Sequence, residues 1–244
     1  MKKIGIFLFG FFSLNSALAS TFSSRTIFGT DNRVPMPAGR PWQQIGKVST
    51  SSGFCTGALV APCLVLTAAH CIDPVSGHVN RFESSKAGLS ANSVAIYRGT
   101  TAPDQDWGND WGLLVLGDRL GDGLGWMDVQ LLQGPDFNPQ KSFVLAGYAA
   151  DLLNGGQHAS ADTQVTIYKT FANSVVYHDG NDFSGDSGGP IFRLNGDQGV
   201  VVAVHTRGSS SIFPAYSDAH ASIGVASQAF IPTLLAAQEK WCPF

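Results

Sequence analysis

Three short segments of this chain carry side chains able to act together as a nucleophile and its activators. Ser187 lies in Gly185-Asp186-Ser187-Gly188-Gly189-Pro190. Glycines let a backbone bend tightly and come close to a ligand, because they carry no Cβ. N–H groups at such a bend can converge on one point and stabilise a developing oxyanion. A serine hydroxyl is a weak nucleophile by itself. It needs a base, most often histidine, that a carboxylate orients. The chain offers His70 in Thr67-Ala68-Ala69-His70-Cys71 and Asp110 in Asn109-Asp110-Trp111-Gly112-Leu113-Leu114. Taken singly these are ordinary: a lone buried histidine is usually structural, Asp104 and Asp106 suit a turn, and glycine-rich loops are common. Taken together, in the order His70, Asp110, Ser187, they specify acyl transfer through a serine nucleophile.

The serine segment also fits G-x-S-x-G, the strand-to-helix elbow of α/β-hydrolases. That arrangement requires the acid and then the histidine to follow the serine. Only His205 and His220 follow Ser187, and no alternation of strand and helix patterns surrounds it. Metal chemistry is not indicated, since neither C-x-x-C nor H-E-x-x-H spacing occurs. No cofactor motif is present.

Positioning three distant segments takes a core, and 244 residues suffice for one large or two small ones. The 44% apolar and 14% charged composition is that of a globular protein. With 28 glycines and short apolar runs between turn residues, the pattern predicts an all-β protein. Strands are expected over Ile45–Ser49, Gly57–Val60, Cys63–Thr67, Val94–Arg98 and Leu113–Leu116. A second set follows over Phe143–Tyr148, Gln164–Phe171, Ser174–His178, Pro190–Leu194, Gly199–His205 and Ile223–Ala226. Residues 73–93 read as loop, and residues 117–125 as the connection between two halves. Pro232 to Trp241 is rich in helix formers, with Pro232 suited to the first turn. Ile231, Leu234, Leu235 and Cys242 define its apolar face.

Lys2 and Lys3, the apolar run Ile4 to Phe12, and Ala17-Leu18-Ala19 read as a signal peptide over 1–19. Export to the periplasm or beyond the cell follows, and residues 20–26 read as a short propeptide. No other segment could span a membrane, so no membrane partner is expected. The formal charge of −3, without a basic cluster, argues against nucleic acid. Four cysteines in an exported chain should pair. A Cys55–Cys71 bridge would close the loop that holds His70, leaving Cys63 and Cys242 either paired or as two buried thiols.

These segments resemble the chymotrypsin/trypsin-like serine peptidases. The likeness rests on Cys55-Thr56-Gly57, Leu64 to Cys71, Asp110 to Leu114 and Gly185 to Pro190, and runs from Ile27 to the C-terminus. Phe28 to Arg33 and Val204 to Gly208 are similar to segments of the compact bacterial branch related to glutamyl endopeptidases. The resemblance implies two antiparallel six-stranded β-barrels, about 27–116 and 126–244, with the active site between them and a C-terminal α-helix. It implies a monomeric serine endopeptidase acting on proteins or peptides, with no cofactor. By position, His70 is the base, Asp110 its orienter and Ser187 the nucleophile, and the N–H groups of Gly185 and Ser187 form the oxyanion hole. Thr206 takes the place of a hydroxyl residue near the aspartate. Arg207 and Gly208 fall on the edge that pairs with substrate. Asn181-Asp182-Phe183-Ser184, His205 to Gly208 and about Ile223-Gly224 map to the primary-specificity pocket. There His205 suits an acidic side chain and Asp182 opposes one, unless the two simply pair. The C-terminal helix would pack near the first barrel, favouring a Cys63–Cys242 bridge. The resemblance also implies that processing at Ile27 frees an ammonium to pair with Asp186. The alternative is a differently tethered N-terminus with Asp186 bonded locally. A rival from another class is a catalytically silent, protease-like binding module.

Overall fold

The computed structural model describes residues 25–51, 53–73, 79–137 and 143–243. The signal-peptide reading and most of the propeptide reading fall outside them. Arg25 and Thr26 do not: they belong to strand β1 (Arg25–Phe28), and Thr26 and Ile27 are buried in it. The last two residues of the expected leader are therefore part of the fold.

The first half is a closed antiparallel barrel. Its strands are β3 (Ile45–Thr50), β4 (Gly53–Ala61), β5 (Leu64–Thr67), β6 (Arg81–Ser84), β7 (Leu89–Arg98) and β8 (Gly112–Leu116), with the two-residue β2 (Val34–Pro35) lying before them. The circular order is β3-β4-β5-β8-β7-β6. β8 reads as one apolar run because it is buried along its whole length. The expectation of a loop over 73–93 is overturned, since β6 and the start of β7 lie there. Phe82 is the one apolar side chain of β6, with polar Ser84 the other buried residue, and the exposed Arg81 and Glu83 beside it disguised the alternation.

After the two-residue β9 (Asp128–Val129), the second half holds β10 (Phe143–Gly147), β11 (Ser160–Val165), β12 (Ile167–Thr170), β13 (Val175–His178) and β14 (Asp182–Phe183). They are followed by β15 (Pro190–Asn195), β16 (Gln198–Arg207), β17 (Ile212–Phe213) and β18 (Ser222–Ala226). The main order is β12-β13-β18-β16-β15-β10-β11-β2, with β9 added beside β16. β12 stands at one end of the main run and β11 next to the other, beside β2, yet the two are joined through Thr166 alone. The sheet therefore curls back on itself, and with that bent strand counted once, six strands wrap the second half. β1 lies apart, antiparallel to β14 and parallel to β17.

Buried side chains fill each half separately, with Phe82 and Leu114 in the first and Phe143 and Ile191 in the second. A third cluster spans the junction, where Trp42 meets Phe192 edge-on at 5.9 Å between ring centres. The C-terminal helix, Ile231–Trp241, joins that cluster through Leu234 and Ala237, with Cys242 just beyond its end. Leu235, expected on the apolar face, is 60% exposed. Ala237 faces inward instead, because 100° per residue carries a helix from 234 to 237 and not to 235. Cys242 is bonded to Cys63, and Cys55 to Cys71.

Candidate active site

His70 sits where β5 ends. Ala68 is extended, and the chain then makes one tight turn over Ala69–Cys71, closed by the Cys71 N–H donating to Ala68 O at 3.2 Å. The Cys55 bridge ties the end of that turn to β4. Asp110 precedes β8, which pairs with β5 so that Thr67 lies opposite Gly112. That register brings His70 and Asp110 together. Asp110 Oδ1 accepts the His70 backbone N–H at 3.0 Å, and Oδ2 lies 2.9 Å from His70 Nδ1. A carboxylate only accepts, so Nδ1 carries a proton, which in the neutral ring leaves the lone pair on Nε2. Burial works against charge on Asp110. The His70 ring and backbone N–H groups, helped by the Arg207 guanidinium, outweigh it and hold the carboxyl below its usual range.

Ser187 lies on the turn between β14 and β15. Gly185 has φ +104°, a conformation that L side chains rarely adopt. The Thr56 N–H donates to Ser187 O at 2.8 Å, and Thr56 Oγ1 donates to Gly185 O at 2.7 Å. β4 of the first barrel thereby grips the serine turn from across the junction. Gly188 lies against the backbone of Ala68, two residues from His70. Among the described residues, the N–H groups of Gly185 and Ser187 donate to no protein acceptor. Ser187 Oγ donates to Thr206 O at 3.1 Å and not to His70. Catalytic hydrogen bonds often tighten only when substrate arrives. Thr56 lies inside the Cys55-Thr56-Gly57 segment, but nothing in its type announces a bond across the junction.

Of the residues mapped to the pocket, Asn181 is bonded to the segment around β1. Its Oδ1 accepts the Phe28 N–H at 2.8 Å, so it anchors β1. Asp182 is buried, with Oδ2 accepting Ser222 Oγ at 2.6 Å and lying 4.0 Å from His205 Nε2. His205 Nδ1 lies 3.3 Å from His178 Nε2, while His178 Nδ1 accepts the Gly180 N–H at 3.1 Å. His178 therefore donates to His205, and His205 presents a proton on Nε2 toward Asp182. Burial lowers His178 to about 4 and His205 well below its usual value, and raises Asp182 to about 7 against the hydroxyl of Ser222 and the charge of Arg33. Sequence reading missed His178 and Ser222, which carry no motif of their own.

Thr206 does not reach Asp110. Its Oγ1 donates to Ile223 O at 3.2 Å, and Arg207 Nη2 donates to Asp110 Oδ2 at 3.3 Å in its stead. Gly208 is a place of close approach, where a Cβ would overlap Thr26 Oγ1 and Asp182 Oδ1. Thr26 Oγ1 accepts the Ser209 N–H at 2.7 Å, so β1 packs against both Asp182 and Gly208. Ile27 is not held at Asp186. Its N–H donates to Ser211 O at 3.2 Å. Asp186 Oδ2 accepts the Phe183 N–H at 3.0 Å and lies 3.9 Å from the buried guanidinium of Arg33.

Two rolled β-sheets with a histidine, an aspartate and a serine gathered at their junction define the chymotrypsin-like fold. The solved structure of a Glu endopeptidase in complex with MPD shares it, with a TM-score of 0.66 at 20% identity over 87% of this chain and 99% of that one. A family model described as Trypsin matches residues 27–221. The chain belongs to the trypsin family. It is similar to a glutamyl endopeptidase of Bacillus licheniformis, 25% identical over 79% of this chain and 64% of that protein. It is also similar to a Bacillus subtilis protein named extracellular metalloprotease, 26% identical over 78% of this chain and 65% of that protein. The chain thus spans somewhat less than two thirds of the length of these curated relatives.

Proposed function

We propose that this protein is an exported serine endopeptidase that cleaves peptide bonds through an acyl-enzyme. The observation that carries the reading is the 2.9 Å hydrogen bond from His70 Nδ1 to buried Asp110, which leaves Nε2 free as a base beside the serine turn. Ser187 Oγ swings from Thr206 O to His70 Nε2 and attacks the substrate carbonyl carbon. A C–O bond forms as the Oγ proton passes to Nε2. The carbonyl oxygen becomes an oxyanion facing the N–H groups of Gly185 and Ser187. When the C–N bond breaks, His70 returns the proton to the leaving amine. Water then repeats the sequence on the ester and frees Ser187. Asp110 stays ionised and supports the imidazolium.

The name of the Bacillus subtilis relative suggests a metal. Among the described residues the one cluster of candidate ligands is Cys55, His70 and Cys71. Its two sulfurs are bonded to each other and offer no thiolate, so the donor set does not fit, and no step runs through a metal. The glutamyl preference named for the other relative meets a different obstacle. His205 is a neutral donor here, and Asp182 stands beside it wherever an acidic side chain would enter. Two disulfides suit an oxidising compartment, and among the described residues no helix is long and apolar enough to cross a membrane.

A fluorophosphonate probe tests the reading against that of a silent binding module. The active protein is labelled at Ser187, and labelling and peptide hydrolysis both disappear in Ser187→Ala. Asp110→Asn favours the wrong imidazole tautomer and lowers turnover by about 10⁴-fold. An unlabelled Ser187, or full hydrolysis by a folded Ser187→Ala protein, refutes the proposal.

A further inference from the structure

We infer that Arg207 is a positioning residue for the triad, one that clamps Asp110 and opposes positive charge on His70. The inference rests on the triad reading above. The β16–β18 register shifts between His205 and Arg207, where His205 lies opposite Gly224 and Arg207 opposite Ile223. Such an irregularity re-aims the side chains beyond it. It turns Arg207, the last residue of β16, toward the loop that carries Asp110. There Nη2 donates to Pro103 O at 2.9 Å and to Asp110 Oδ2 at 3.3 Å. Nη1 lies 3.6 Å from Asp104 Oδ1, and the guanidinium carbon stands 5.1 Å from the centre of the Trp107 ring. The plane is thus fixed from three sides, as suits the rigid fork of arginine better than a lysine ammonium.

Asp110 Oδ2 is the oxygen that also accepts His70 Nδ1–H. A carboxylate shared with a second cation is a weaker attractor for the imidazolium. A fixed positive charge this near also opposes a second one on the ring. The other charged or titratable groups facing this cluster do not replace Arg207. His205 on β16 is buried and neutral. Arg98 on β7 spends Nε on Ala69 O at 3.1 Å. Asp104, on the loop before Trp107, is 93% exposed and lies against the outer edge of the guanidinium.

The test is the rate of Ser187 phosphonylation by a fluorophosphonate as a function of pH, at constant ionic strength, in the full chain. This readout needs no knowledge of the natural substrate. Arg207→Met should move the midpoint of the acid limb up by about one pH unit, a tenfold change in the proton affinity of the base. Arg207→Gln, also uncharged, should do the same and serves if the Met variant does not fold. Arg207→Lys, which restores the charge without the fork, should fall between the neutral variants and the parent. A lowered plateau with an unmoved midpoint in the folded neutral variants means that Arg207 only supports the loop, and overturns the inference. Absence of labelling in the parent overturns the triad reading instead. In that case the imidazole titration of His70, followed by NMR in the parent and in Arg207→Met, still decides the coupling, and coincident curves refute it.

Discussion

His178, hydrogen-bonded to His205, and Asp182, 4.0 Å from His205, form a buried run whose members pull stability in opposite directions as pH changes. His178 is held to about 4, below its unfolded value of 6.5, so the unfolded chain takes up a proton that the native state refuses. Stability is lost from that source as pH falls from about 6.5 to about 4. Asp182 is raised to about 7 from 3.8, so the native state keeps a proton that the unfolded chain has released. Stability is lost from that source as pH rises across nearly the same interval. The slopes oppose one another, and removing one should expose the other. Thermal unfolding between pH 4 and 8 should show Asp182→Asn gaining stability with pH more steeply than the parent, and His178→Gln less steeply. At about 2–4 °C per kcal/mol the divergence is measurable. Parallel curves for all three proteins would refute the assignment. At this scale the sequence was most informative for residues with motifs around them. His70, Asp110, Ser187 and the glycines before and after the serine could be named. Arg207 could not be assigned its partner, because a register irregularity, which leaves no signature in residue types, decides where its guanidinium points.

Among the elements, the turn bearing His70 and the C-terminal helix each depend on a covalent tie. The helix buries little beyond Leu234 and Ala237, and no side chain caps its N-terminus. Its attachment therefore rests heavily on Cys63–Cys242, which joins residues 179 positions apart. Replacing both cysteines by alanine should cost up to about 5 kcal/mol in the chain-entropy view, often less. The denaturation midpoint should fall and amide exchange should accelerate through Ile231–Trp241, while phosphonylation of Ser187 stays close to that of the parent. Unchanged exchange in the helix would show that packing alone holds it. Strands buried on both faces, such as Leu113–Leu116 and Phe143–Gly147, were legible as unbroken apolar runs. β6 was not, since one phenylalanine between charged neighbours looks like loop. Gln164–Phe171 reads as one strand in sequence but bends at Thr166, because curling the second sheet requires its ends to meet there.

For the molecule as a whole, the segment before the first barrel is built into the second. β1 pairs with β14 and β17, and Thr26 packs against Asp182 and Gly208, where the resemblance places the specificity pocket. Arg33 already faces Asp186, so a cut before Ile27 should act chiefly by withdrawing Thr26 and its bonds to Ser209 and Asp182. Two neutral hydrogen bonds at about 1 kcal/mol each correspond to roughly tenfold or more. Protein beginning at Ile27 should therefore show at least about tenfold higher kcat/KM on peptides than protein beginning at Ser20. Equal activity of the two, with their N-termini verified by sequencing, would refute this. Such an arrangement was beyond reach of the sequence, since it depends on where a chain end settles once both sheets exist. The long bridge has a mechanical meaning as well. His70, Asp110 and Ser187 all lie inside the covalent ring closed by Cys63 and Cys242, and the bridge from Cys55 to Cys71 locks the incoming strand onto that ring. An unfolding motor or an optical trap pulling on the two ends of the oxidised chain can draw out what precedes Cys55 and follows Cys242, and between them it loads only the short spans Cys55–Cys63 and Cys63–Cys71. His70 sits on a loaded span, while Asp110 and Ser187 lie on the long arc from Cys71 to Cys242, which tension cannot reach until a thiol reductant arrives.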